Sequence, residues 1–285
     1  MGLQKQNLRM FSLLYNQGYL KNIHNVLEFG SQDFGAIPSD IGFFLRSIGK
    51  NKEELTKSYK KQGGRTIKEI IRRNSSFSAK VLYEWLGIME YESIDADGKW
   101  GAKIFDLNED LGKKYNYKKQ FDLTTNHGNS EHVFNQYMFF KNMHDLTKEG
   151  GFMIHMLPLK IDLDHCFYHY TTSFFRDLII ANKYKLIKRW VFNEGLPAIS
   201  QVSDSLINEM YKDREVQNFH ICYFLQKVNS NKFKTPFQGN CIYEDDNKIK
   251  DYIPKRSFKE KFRISAIDAI RKMANIKFDS KIVYP

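Results

Sequence analysis

The sequence predicts an α/β fold in which a mostly parallel sheet is covered by helices on both faces. Three observations predict it: short apolar runs bounded by turn residues, amphipathic stretches of helix length between them, and acidic residues that close several of the runs. Seven runs read as strands: NVLEF (25–29), YESID (91–95), AKIFDL (102–107), QFDLTTN (120–126), GFMIHML (151–157), KLIKRWVF (185–192) and FHICYFLQKV (219–228).

The intervening elements follow in order. MGLQKQNLRMFSLLYNQGYL reads as an amphipathic N-terminal helix over residues 1–22, without the long apolar core and small-residue cleavage site of a signal peptide. Residues 37–78 read as a helical insertion after the first strand, placed to wall a substrate pocket. In SAKVLYEWLG (78–87), Val81, Leu82, Trp85 and Leu86 share one helical face. HVFNQYMFFKNMHDLTKEGG predicts a helix closed by its Gly pair, and HCFYHYTTSFFRDLIIANKY another, with Thr172 or Ser173 as N-cap. Residues 23–228 form the main domain, and residues 229–285 a C-terminal extension ending in the amphipathic SAIDAIRKMANI.

Composition excludes little. The 285 residues are 42% hydrophobic and 27% charged, values of a globular chain, and no window approaches the run of about 20 apolar residues that a membrane span needs. Cys166, Cys222 and Cys241 lack metal-type spacing and leave one cysteine over, which suits a reducing cytoplasm. The net charge of +11 gathers in residues 57–73, 113–119 and 255–263 and favours anionic partners. Nucleic acid is therefore a candidate partner, but a basic run gives affinity without recognition and is commonly only a solvated helix face.

The first strand ends in Glu28-Phe29-Gly30-Ser31-Gln32. Gly30 allows close backbone approach, and Glu28 puts a carboxylate at the carboxyl edge of the sheet, where ligands bind. A pyrophosphate loop needs further glycines, and Gln32 and Phe34 stand in their places. A cationic, nonphosphorylated nucleoside matches the turn better. Asp95 ends the second strand, where a ribose diol is held, and Asp106 with Leu107 ends the third, where an acid and a backbone N–H meet an adenine. Each acid alone is as readily a turn or cap residue.

The succession VLEFGS, YESIDAD, KIFDLN, FDLTTNHGNSEHVFNQ and LTKEGGFMIHMLP resembles the class I S-adenosyl-L-methionine-dependent methyltransferases over about residues 25–228. That resemblance implies a Rossmann-like, seven-stranded, mostly parallel sheet with an antiparallel last strand. It implies S-adenosyl-L-methionine as cofactor, with Glu28 and Gly30 around the methionine moiety, Ser31, Gln32 and Asn126 beside them, Asp95 on the ribose, and Asp106 with Leu107 at the adenine. Two departures stand out. The family's E/D-x-G-x-G-x-G is reduced to Glu28-x-Gly30, and Gly30 lies 65 residues before Asp95 (95 − 30) instead of the about 20 of a minimal unit.

The exit of the fourth strand, TNHGNSEH (125–132), is the densest polar cluster and marks the expected active site. His127 and His132 are candidate bases, Glu131 orients one of them, and His155, His165 and His169 are placed to line the same mouth. The plainer readings are that Glu131 starts the following helix and that His155 is a core histidine. The H-x-x-x-E-H spacing is not that of helix-borne zinc sites, so no metal is expected. With no N-P-P-Y-like element after strand four, the expected methyl acceptor is an oxygen or nitrogen of a small molecule: a sugar, metabolite or natural-product intermediate, with the basic surface hinting at an acidic one. The rivals are an RNA or DNA methyltransferase and a non-catalytic nucleoside-binding or interaction module.

Overall fold

The computed structural model describes residues 2–50, 77–161, 163–193, 207 and 218–238. Strand β1 (Asn25–Phe29) is buried at every position, as a central parallel strand covered on both faces must be. It lies between β2 (Glu90–Ile94) and β3 (Phe121–His127), parallel to both. β4 (Thr147–Lys160) continues the sheet in parallel. β5 (Lys185–Asn193) forms the edge, and β6 (Phe219–Gln226) inserts between β4 and β5, antiparallel to each. The order is thus β2-β1-β3-β4-β6-β5, a Rossmann-like sheet in which β6 alone opposes the rest.

The expected seventh strand is a correction. AKIFDL contributes only a parallel bridge, Lys103 to Ile94. The chain turns away immediately: the Phe105 N–H donates back to the Lys103 carbonyl at 2.9 Å, and Asn108 donates to Asp106 from both its backbone and its side chain.

Alternation along the strands splits the core in two. Val26, Leu123, Ile154, Phe192 and Phe224 face α1 (Lys5–Asn16), α2 (Pro38–Ser47) and α3 (Lys80–Trp85), through Met10, Phe11, Ile41, Phe44 and Trp85. Beyond the short α4 (Leu111–Lys114), Leu27, Phe29, Met153, Leu157 and Tyr223 face α5 (Gln136–Leu146) and α6 (Thr172–Asn182), through Phe139, Met143, Phe175 and Leu178.

Helix ends depart slightly from expectation. α5 starts after Asn135, whose side chain accepts from the Met138 N–H, and α6 after Thr171, which accepts from the Phe174 N–H. The Gly pair is not a C-cap. β4 begins directly after α5, and Gly151 lies inside it, where a Cβ would come within 3.1 Å of the Phe121 and Asp122 carbonyls.

The insertion is accommodated by its own ends. Asp33–Phe34 pairs antiparallel with Phe77–Ser78, so the chain leaves and returns at one place and β2 still lies beside β1. Of the insertion, α2 is described, and residues 51–76 lie outside the described residues. So do the basic run 255–263 and SAIDAIRKMANI. Among the described residues no helix is long and apolar enough to cross a membrane.

Candidate active site

The strand order reverses between β1 and β3, which opens a crevice at their carboxyl ends. Gly30 leaves β1 at φ +87° and donates its N–H to the Ile94 carbonyl at 2.8 Å. The next N–H, of Ser31, donates to the Asp95 carboxylate at 2.7 Å, and Ser31 Oγ donates to the Lys99 carbonyl. The turn after β1 is thus fastened to the tip of β2. A Cβ on Gly30 would lie 2.6 Å from Asn129 Nδ2, so the loop after β3 closes onto the same glycine.

Glu28 is fully buried under this corner and accepts from Tyr91 Oη at 2.6 Å, Tyr83 Oη at 3.1 Å and the Gln32 N–H at 3.2 Å. Burial raises its carboxyl to about 7 against those three donors. Both of its oxygens thus take part in holding the turn. Asp106 Oδ1 accepts from the backbone and side chain of Asn108, and those hydrogen bonds hold its carboxyl below the usual range. Leu107 is in the core against α5 and α6, and Asn108 ties this loop to Asn135 at the start of α5.

On β3, Asn126 is fully buried and braces the loop that follows: Oδ1 accepts from the Ser130 N–H at 3.1 Å and Nδ2 donates to Ser130 Oγ at 2.9 Å. His155 sits behind it, 3.4 Å from Asn126 Nδ2, with its ring against Phe140 and Phe175. Burial lowers its pKa to about 3. His155 is a core histidine rather than part of the mouth. His132 is exposed beside His165, ring centroids 5.3 Å apart.

Glu131 is 1% exposed, and neither carboxyl oxygen has a hydrogen-bond partner, so it orients no histidine. Burial raises its carboxyl to about 7. Its backbone carbonyl accepts from the Phe167 and Tyr168 N–H groups, which pins the loop after β4 across the exit of β3.

His127 closes β3 and lines a pocket with Gly2, Gln4, Gln6, Asn7, Gly128, Met156, Phe192 and His220. Asn7 belongs to α1, whose first turn roofs this pocket. Its Oδ1 accepts from the Gln4 N–H at 2.9 Å, which directs Nδ2 toward His127 Nδ1 at 3.3 Å and Met156 Sδ at 3.2 Å. Because Asn7 Nδ2 can only donate, His127 Nδ1 accepts and the ring proton resides on Nε2. Burial lowers the ring's pKa to about 3, so it is neutral. His127 is thereby a donor, not the base expected of it. His220, near the start of β6 and opposite Pro158, was not signalled by the sequence pattern.

Buried polar atoms without partners are rare in folded proteins, each costing about 1–3 kcal/mol. Among the described side chains there are six such atoms: Gln32 Oε1, His127 Nε2, Asn129 Oδ1, both Glu131 oxygens and His220 Nε2. All belong to residues near the carboxyl edge of the parallel strands, and two of them, His127 and His220, line the pocket under α1.

No protein-family model matches the chain, and no curated protein matches it. Solved structures do. An O-methyltransferase from the trans-AT PKS multienzyme of Brevibacillus brevis, in complex with S-adenosyl-L-homocysteine, is 13% identical over 79% of this chain and 73% of its own, with a TM-score of 0.37. The 1,6-didemethyltoxoflavin-N1-methyltransferase of Burkholderia thailandensis is 12% identical over 78% of each chain, with a TM-score of 0.38. An S-adenosylmethionine-dependent methyltransferase from Archaeoglobus fulgidus is 13% identical over 76% of this chain and 94% of its own, with a TM-score of 0.39. Similarity this low carries no chemistry across, and the site's chemistry rests on the residues of this chain.

Proposed function

We propose that the protein is an S-adenosyl-L-methionine-dependent methyltransferase acting on oxygen or nitrogen of a small-molecule acceptor. The observation that carries this reading is the Gly30 to Asp95 corner at the switch point, with the unpartnered buried acceptors Gln32 Oε1 and Asn129 Oδ1 on the residues next to it. A strand-tip corner with unsatisfied acceptors beside it suits a polar ligand.

The residues present fit the cofactor. The orphaned atoms next to the glycine turn, Gln32 Oε1 and Asn129 Oδ1, are acceptors. They suit an ammonium or hydroxyl group and would repel phosphate, so they favour a nucleoside sulfonium over a dinucleotide. Asp95 is partly exposed; one oxygen accepts from the Ser31 N–H at 2.7 Å and the other from the Asp97 N–H at 3.4 Å, which leaves lone pairs on both for a ribose diol. Gln32 and Asn129 would hold the methionine end. Bound, the sulfonium supplies an electrophilic methyl group; the protein's part is to hold the acceptor in line with it and exclude water.

Within the described basic run 113–119, Lys114 and Lys119 are ion-paired. Lys119 pairs with Glu90 and Glu92, and Lys114 with Glu109, so these charges are answered within the protein. The test is calorimetric titration of S-adenosylhomocysteine into the wild type and Asp95→Ala, with NAD as competitor. Binding near −8 kcal/mol, a micromolar Kd, that the substitution abolishes supports the reading; a folded protein that binds NAD and not S-adenosylhomocysteine refutes it.

A further inference from the structure

Among the described buried side chains, Glu131 alone ends in a charged group with neither oxygen hydrogen bonded, and the residue is 1% exposed. The main chain that carries it is fixed from both sides. The Ser130 N–H donates to Asn126 Oδ1 at 3.1 Å, Gln136 Nε2 donates to the Ser130 carbonyl at 2.7 Å, and the Phe167 and Tyr168 N–H groups donate to the Glu131 carbonyl at 3.0 and 3.3 Å. The carboxyl is thereby kept where an unpaired charge is costly. The same turn reaches the Gly30 corner: the His132 N–H donates to the Asn129 carbonyl at 3.0 Å, and Asn129 Nδ2 lies 2.6 Å from where a Cβ on Gly30 would stand. The two segments that meet at Glu131 also carry exposed rings. Phe134 is 72% and Phe167 68% exposed, their centroids lie 6.0 Å apart at 90°, and Tyr168 packs against both while its Oη donates to the Phe134 carbonyl at 2.9 Å. Cys166, next in the chain to Phe167, is half-buried, and burial and then the Glu131 charge push its thiol up. The carboxyl thus lies near the segment that bears the rings.

We propose that Glu131 and the Phe134–Phe167 rings form the acceptor site, and that it takes an aromatic amine, with the ammonium on the Glu131 carboxylate and the ring against the two phenylalanines. The inference rests on the methyl-transfer reading for the word acceptor, while the pairing of a buried carboxylate with exposed rings stands independently of it. A hydroxyl has one hydrogen and satisfies one of the two orphaned oxygens. An ammonium has hydrogens for both and cancels the charge. A carboxylate or phosphate would face Glu131 with like charge, so the acidic acceptor suggested by the net charge is set aside. The exposed rings add apolar area for the ligand's own ring and π faces that favour a cation. Entry needs the exposed Phe167 ring and the Cys166 side chain to turn aside, with the main-chain bonds to the Glu131 carbonyl kept.

The test is a ligand-observed NMR titration at pH 8, where Glu131 is a carboxylate and an alkylamine is still protonated. The probes are 2-phenylethylamine, propylamine, 2-phenylethanol and 3-phenylpropionate. Each is added to the wild type, Glu131→Gln and Phe167→Ala, with S-adenosylhomocysteine absent and then in excess. The wild type is expected to bind 2-phenylethylamine, and every other probe about tenfold more weakly or not at all. Glu131→Gln should weaken the aromatic amine about tenfold and Phe167→Ala about threefold, in variants whose thermal melting shows them folded. The proposal is overturned by a folded wild type that ignores 2-phenylethylamine, by either variant binding it as the wild type does, or by equal binding of any other probe. A Glu131→Gln protein that loses S-adenosylhomocysteine and keeps the amine gives the carboxyl to the cofactor and overturns it too. S-adenosylhomocysteine binding without amine binding would sink the amine site alone. Glu131-dependent amine binding in a protein that does not bind S-adenosylhomocysteine would sink methyl transfer alone.

Discussion

Ser31 and Asp95, 64 residues apart in the chain, are joined by a 2.7 Å hydrogen bond from the Ser31 backbone N–H to the Asp95 carboxylate. One partly exposed carboxylate thus shapes the turn after β1 from the tip of β2. Asp95→Asn keeps an oxygen for Ser31 but offers a neutral, weaker acceptor to a diol. It is expected to weaken S-adenosylhomocysteine about tenfold, about 1.4 kcal/mol, while leaving the melting temperature within a few degrees. Unchanged affinity by calorimetry would remove Asp95 from the ligand.

Tyr91→Phe should do the reverse. Glu28 Oε2 would keep only the Gln32 N–H in a fully buried site, and urea unfolding should show a loss of about 1–3 kcal/mol. Affinity for S-adenosylhomocysteine should change by less than about threefold, under 1 kcal/mol. A collapse of binding without loss of stability would mean that Glu28 touches the ligand.

Gly30→Ala meets two obstacles, the positive φ of +87° and Asn129 Nδ2 at 2.6 Å from the new methyl. Together they should cost about 2–4 kcal/mol. Adding Asn129→Gly should recover the steric part and leave the backbone part, so the pair is non-additive in urea unfolding. Strict additivity would place Asn129 elsewhere.

Glu131 sets a pH dependence. Its folded carboxyl titrates near 7 against 4.5 when unfolded, so the folded state holds the extra proton between those values. Stability from this group is therefore full below about 4.5 and is lost as pH rises through about 7. Glu131→Gln, a neutral isostere, should match the wild type near pH 5 and exceed it by a few kcal/mol at pH 8. Paired unfolding curves at the two pH values check this, and an advantage that is flat with pH would show the carboxyl to be partnered. Buried His127, His155 and His220 tilt the wild-type profile oppositely below about 6.5, since their folded pKa values are depressed. The comparison with the variant cancels that slope.

Periodicity exposed the sheet because burial on both faces demands continuous apolar runs: NVLEF is β1 to the residue. AKIFDL carries the same composition, yet nothing in its residues says that the chain turns back at Lys103. The corner of Gly30 and Asp95 was legible as two strand tips, because strand tips are local. Glu28 was legible as special but not in its role, which depends on two tyrosines 55 and 63 residues away. Asn7 and His220 gave no signal, for the pocket they share is assembled from the first helix and the last described strand.

The bond between Asn7 and His127 also has an evolutionary consequence. An aspartate at position 7 would present only oxygens to His127 Nδ1, reverse the ring's tautomer and turn the pocket's donor into an acceptor. Positions 7 and 127 are thus expected to change as a pair, since either side chain fixes the hydrogen-bonding role of the other.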